Sequence, residues 1–129
     1  AVVEAVADGI TAINSVGPGL ILDVETRRPV LAHGTGGMSG PPIRPVAVRC
    51  VRDICRTVDV PVVATGGVTT GRDVGEMLLV GATVVSIGSA VRYRGIDVFS
   101  QVCEELKTYM ERHGYEDLAS LRGAAILGP

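Results

Sequence analysis

The residues of this chain best suited to chemistry are three short pairs, Asn14-Ser15, Gly66-Gly67 and Gly88-Ser89, each at the end of an apolar run. Asn14 offers a carbonyl acceptor and an amide donor, which matches the alternating N–H and C=O edge of a cyclic imide such as a pyrimidine; Ser15 adds a rotatable hydroxyl. Taken alone, an Asn-Ser at a strand end reads first as a turn or cap. Gly66-Gly67 and Gly88-Ser89 each precede a helical segment. Backbone amides at such a junction can cradle a phosphate, helped by the helix dipole and, at the second pair, by the Ser89 hydroxyl. A tight strand-to-helix turn would use the same glycines.

Periodicity supplies the elements that hold these pairs. Val2–Asp8 reads as the last turns of a helix stopped by Gly9, and Gly9–Asn14 as a short buried strand. Leu20–Val24 and Pro29–Ala32, joined by the charged turn Glu25-Thr26-Arg27-Arg28, read as an inserted β-hairpin. Gly34–Pro42 is too rich in Gly and Pro for regular structure and is expected to be a functional loop. Ile43, Val46, Ala47, Cys50, Val51, Ile54 and Val58 form one apolar stripe at helical spacing. Val60–Ala64 follows as a β-branched parallel strand, then a helix over Arg72–Val80 stopped by Gly81, then the buried strand Ala82–Ile87. Val98, Phe99, Val102, Cys103, Leu106, Tyr109 and Met110 mark a final amphipathic helix, and a short helix is expected around Glu116–Leu121.

This alternation is the repeating unit of a parallel α/β protein. Ligands collect at the carboxyl ends of parallel strands, and all three pairs stand at such ends. The loops after the last two strands of a (β/α)8 barrel are a frequent phosphate site. A complete barrel takes about 250 residues, so a chain of 129 residues supplies roughly half of one.

Composition narrows the function classes. With 47% hydrophobic and 20% charged residues the chain is a globular α/β domain. Trp 0 and Phe 1 rule out aromatic stacking as the main recognition device. A net charge of −2 gives no footprint for nucleic acid or an anionic membrane, and the basic stretch Arg44–Arg56 is spread around a helix as a solvated face. No apolar run approaches the roughly 18 residues of a membrane span. Ala1–Asp8 carries two acids and no basic n-region, so it does not read as a signal peptide. Cys50, Cys55 and Cys103 form no CxxC pair, so neither a disulfide framework nor a metal site is expected, and reduced thiols in a cytoplasmic protein are the simpler reading. All three cysteines fall on or beside helix stripes and are expected to pack as small hydrophobes. His33 is expected to be an exposed loop residue, and His113, before Gly114, to sit at a helix C-terminus.

Four motifs in order resemble the dihydroorotate dehydrogenase family: Ala12-Ile13-Asn14-Ser15-Val16-Gly17-Pro18-Gly19; Gly36-Gly37-Met38-Ser39-Gly40-Pro41-Pro42-Ile43-Arg44-Pro45-Val46-Ala47; Gly66-Gly67-Val68; and Gly81–Ser89. The likeness covers nearly the whole chain. It implies that residues 1–129 are a partial FMN-binding domain, the C-terminal half of a (β/α)8 TIM barrel with its last three strands and an inserted β-hairpin. The hairpin and Gly-rich loop resemble the class that pairs with an iron-sulfur flavoprotein subunit. The implied reaction is oxidation of dihydroorotate to orotate in pyrimidine biosynthesis. By motif, Asn14 and Ser15 would bind the pyrimidine, Gly40 would approach the flavin, and Gly66, Gly67, Gly88 and Ser89 would hold FMN, chiefly through its ribityl phosphate. Ser15 and Ser89 stand where Thr is also common, and Arg44 replaces the usual Lys. The family's proton-abstracting Cys or Ser, its flavin-side lysine and several substrate Asn residues precede the matched segment, so no catalytic residue is assigned here.

Two alternatives stay open. One is a catalytically silent half-barrel that only associates, with the missing N-terminal half or with itself, through uncovered strand edges. The other is a related FMN barrel, such as the pyrimidine-reducing module of dihydropyrimidine dehydrogenase.

Overall fold

A computed structural model of the chain describes residues 7–126. In chain order the strands are β1 (Ile10–Ala12), β2 (Val16–Leu20), β3 (Leu22–Asp23), β4 (Arg28–Pro29), β5 (Thr35–Met38), β6 (Val62–Thr65) and β7 (Val84–Ser86). The helices are α1 (Arg44–Cys55), α2 (Gly71–Leu79), α3 (Ala90–Arg94), α4 (Val98–His113) and α5 (Leu118–Leu121), and a 3-10 turn, Pro41–Ile43, leads into α1. The helix end expected over Val2–Asp8 lies mostly outside the described residues.

The central sheet has the order β1-β6-β7, with both pairings parallel. Residues alternate between its two faces, and register sorts them into rows. Ile10 with Val62, and Ala12 with Ala64 and Val85, make one set. Val62 and Ala64 are buried there in one core with Ala47 and Val51 of α1, Met77 and Leu78 of α2, and Val98 and Val102 of α4. Thr11 with Val63 and Val84, and Thr65 with Ser86, make the other set. On that side Thr11, Val84 and Ser86 are exposed. Parallel sheets normally have both faces covered, whereas here the second face and the outer edges of β1 and β7 stay uncovered among the described residues.

Helix boundaries follow local chemistry. Pro45 opens α1, where the missing N–H costs nothing. Thr70 and Asp73 form a reciprocal capping box that starts α2. Gly114, in the left-handed region at φ 73°, ends α4 directly after His113.

Between β1 and α1 the chain departs from the α/β repeat. Residues Val16–Met38 build antiparallel pairs, β2 with β5 and β3 with β4. The Gly-rich segment is thus partly regular, contrary to the sequence reading. Thr35–Met38 is a strand because its glycines permit close crossings: a Cβ at Gly37 would lie 2.0 Å from Ser15 Oγ, and one at Gly36 2.6 Å from Leu31 Cδ1. Around the charged turn the pairing is limited to Leu22 with Pro29 and Asp23 with Arg28. Asp23 Oδ1 holds that turn by accepting the N–H groups of Glu25 (3.0 Å) and Thr26 (2.9 Å). Leu20, Ile21, Leu22, Val24, Val30 and Leu31 remain exposed on this ribbon.

The cysteines correct the sequence reading in part. Cys50 and Cys55 are half-buried but Cys103 is exposed. The face of α4 that packs is narrower than its apolar stripe, so Val98 and Val102 are buried whereas Phe99 and Cys103 fall outside it. In the basic stretch, exposed Arg49 and Arg52 both pair with Asp53 on the helix surface.

Candidate functional site

At the carboxyl ends of β1, β6 and β7 lies a cleft of about 470 Å3, within the ~300–1,000 Å3 usual for small-molecule sites. Asn14, Ser15, Gly40, Gly66, Gly67, Gly88 and Ser89 all line it. Sequence reasoning missed Thr11, Thr65, Ser86 and Ser39, which add hydroxyls to the same wall. Alternation along the strands could have found Thr11, Thr65 and Ser86, since they stand on the face opposite the core. Among the described residues, none that is charged lines the cleft.

Its most telling groups are backbone donors. Among the described residues, the N–H groups of Gly67, Val68, Gly88 and Ser89 have no protein acceptor, whereas the Thr65–Ser86 pairing directs the Gly66 N–H toward the sheet. Gly67 and Val68 are buried. Buried main-chain donors are nearly always paired, so free amides on residues that line a cleft fit an anion. The next three amides of the β6 turn are all engaged: Thr69 N–H and Thr70 N–H donate to Asp73 Oδ2 at 2.9 and 3.0 Å, and Gly71 N–H donates to Glu105 Oε2 at 2.6 Å.

The glycines have separate reasons. Gly66 (φ 132°) and Gly67 (φ 77°) are in the left-handed region, and a Cβ at Gly67 would lie 2.7 Å from Arg44 Cβ and 2.8 Å from Gly40 O. The turn after β6 is therefore pressed against the entry to α1, where Gly40 itself has φ 85° and a Cβ would approach the Tyr93 hydroxyl at 3.1 Å. A Cβ on Gly88 would meet nothing within 4 Å. No neighbour in the described structure demands glycine there, and the space is part of the cleft.

Asn14 is exposed, and its Oδ1 accepts the Ser15 N–H at 2.7 Å, so its carbonyl is partly used in shaping the strand end. Arg44, beside the Gly67 turn, turns away from the cleft and pairs with Asp73 and, at 3.1 Å, Glu76. Burial pushes the Asp73 carboxyl up, but hydrogen bonds from Thr69 and Thr70 and the Arg44 charge outweigh it, leaving its pKa below the usual carboxylate value. The Arg94 guanidinium likewise holds Glu105 down, aided by the Gly71 N–H. Cys50, Cys55 and Cys103 are all absent from the cleft wall, and burial raises the Cys55 thiol pKa. His33 is exposed, and His113 stacks on Tyr109 at the end of α4. Among the described residues no cluster suits a metal ion, and no helix is long and apolar enough to cross a membrane.

A parallel sheet backed by helices, with its cleft at the strand ends, defines a TIM-barrel-like α/β protein. Solved structures agree: the protein matches dihydroorotate dehydrogenase from Eimeria tenella in complex with ferulenol at a TM-score of 0.80 and 28% identity, covering 98% of this chain and 33% of that one. The ligand-free form of the same enzyme matches at a TM-score of 0.79. The family model for dihydroorotate dehydrogenase matches residues 1–110, and the chain belongs to that family, which is flavin-dependent. Similar proteins include the dihydroorotate dehydrogenase B (NAD(+)) catalytic subunits of Methanothermobacter thermautotrophicus, 45% identical over 122 residues, and Pyrococcus abyssi, 40% identical over 123 residues. Each alignment covers 95% of this chain, which spans only 40% and 41% of those relatives.

Proposed function

We propose that this chain is the C-terminal part of an FMN-dependent dihydroorotate dehydrogenase that oxidises dihydroorotate to orotate. The observation that carries this reading is the set of unpaired amides at Gly67, Val68, Gly88 and Ser89 around one uncharged cleft. Neutral N–H donors at two strand-to-helix turns suit a phosphomonoester tail, and the Ser89 hydroxyl supplies a further donor. Gly88, without a Cβ, leaves room for that tail. Gly40 lies on the same wall and would let the flavin approach the backbone.

Bound FMN would supply the hydride acceptor. The residues of this chain position and enclose. Asn14 and Ser15 would orient the pyrimidine, with the Asn14 amide nitrogen as donor and its Oδ1 shared with the Ser15 N–H. Deprotonation of the substrate is assigned upstream, where the family carries its Cys or Ser base. Half-buried Cys50 and Cys55 and exposed Cys103 lie off the cleft and take no part.

A half-barrel is consistent with the open edges of β1 and β7 and with the uncovered face bearing Thr11, Val84 and Ser86. The remaining strands of a longer polypeptide would cover them. The exposed ribbon apolars at Leu20–Leu22 and Val30–Leu31 suit a further partner. An iron-sulfur flavoprotein subunit is the partner implied by similarity to catalytic subunits of the B type.

The test is anaerobic reduction of the full-length polypeptide containing this segment. Its bound flavin is expected to bleach with dihydroorotate and not with dihydrouracil. A colourless protein that takes up no FMN, or bleaching by dihydrouracil alone, would overturn the proposal.

A further inference from the structure

The two amide-bearing turns belong to different strands, and beyond the β6–β7 ladder no backbone hydrogen bond joins them among the described residues. A side chain does. Arg94 ends α3, the short helix that begins directly after Gly88-Ser89. Its Nη1 donates to Thr69 O at 2.7 Å, on the turn that carries Gly66-Gly67. Its Nη2 pairs with Glu105 Oε1 of α4 at 2.5 Å. Glu105 Oε2 in turn accepts the Gly71 N–H at 2.6 Å, where α2 begins. Both turns are thus tied to each other and to α4 through one guanidinium–carboxylate pair.

The fit at this point is close. A Cβ at Gly71 would lie 2.3 Å from Leu106 N and 2.5 Å from Glu105 Cβ, so the start of α2 is seated directly on α4 beside the pair. Arg94 does not line the cleft, and it can act only through the turns. Arginine suits this task because its planar fork makes two bonds in fixed directions at once, whereas an ammonium is a point donor on a flexible stem.

We infer that Arg94 and Glu105 are positioning residues that set the spacing of the two turns for the phosphate end of the flavin. The inference rests on the reading of the cleft as an FMN site and adds residues outside it. Amides aimed at an anion gain most when their separation is fixed beforehand. Losing the clasp would therefore weaken contacts to the phosphate and spare those to the isoalloxazine ring.

The test compares FMN with riboflavin, which lacks the phosphate, by fluorescence titration of the full-length apoprotein. Arg94→Ala is expected to weaken FMN by about tenfold or more while riboflavin stays within about twofold, in line with the effect of losing outer-shell support at a preorganised site. Arg94→Lys, which can keep the ion pair but not both bonds, is expected to fall between. Glu105→Gln provides a milder variant should Arg94→Ala not fold, and it is expected to weaken FMN selectively as well. If the unmodified protein prefers FMN and the variants keep that preference, or lose both ligands in parallel, the clasp is wrong and the site reading survives. If the unmodified protein binds riboflavin as tightly as FMN, the site reading fails and the inference with it.

Discussion

The turns after β6 and β7 bring small residues into one cleft, yet different forces require them. At the β6 turn, Gly66 and Gly67 have positive φ and press against Ala47, Arg44 and Gly40, while Thr69, Thr70 and Gly71 are anchored by the carboxylates of Asp73 and Glu105. At the β7 turn, a Cβ on Gly88 would meet nothing within 4 Å, and the link to the β6 turn outside the sheet is Arg94 at the far end of α3. One turn is fixed by the fold; the other is left open for what occupies the cleft. Identical-looking glycines can thus be demanded by packing in one place and by no neighbour in the described fold in another, where the proposed FMN phosphate would sit.

Substitutions can break this contrast. The largest effect is expected for Gly67→Ala, which adds backbone strain to overlap with Arg44 and Gly40 and should cost about 3 kcal/mol in denaturant unfolding. A loss below about 1 kcal/mol would mean that the turn is looser than described. Asp73→Ala removes a capping box, the Thr69 contacts and the partner of Arg44, and a loss of about 2 kcal/mol is expected. Gly88→Ala is expected to change stability by less than about 0.5 kcal/mol. The same variant should weaken FMN by about tenfold, since a methyl would take up space at the phosphate. Equal stability losses at Gly67 and Gly88 would erase the distinction.

Acid sharpens the same point. Because the folded Asp73 carboxyl titrates below its usual value, its contribution is fully present above about pH 4 and is lost as pH falls through the lowered value. Asp73→Asn should therefore flatten the acid limb of the stability curve and leave its slope near neutrality unchanged. An unchanged acid limb would show that other carboxylates govern it.

Much of this was legible in the sequence. The 3.6-residue stripes marked α1 and α4, the Gly81 stop marked the end of α2, the β-branched runs marked β6 and β7, and small residues at strand ends marked all seven cleft positions expected from the sequence. What escaped had physical reasons. β5 was hidden because glycine lowers strand propensity, while close crossing over Ser15 is a tertiary demand that local composition does not encode. Cys103 was misplaced because an apolar stripe can be wider than the face a helix buries. The Asp73 anchor had a local signal in the Thr70-Gly71-Arg72-Asp73 capping pattern. The Arg94–Glu105 pair joins two helices, and no spacing rule within either helix reveals it.

The central claim is that unpaired main-chain amides of two turns receive an anionic flavin tail. Amide chemical shifts of the isotopically labelled full-length protein test it most directly when FMN and riboflavin are added in turn. Gly67 and Gly88 are expected to shift with FMN and much less with riboflavin. Equal shifts with both ligands, or FMN shifts that avoid these glycines, would contradict the account.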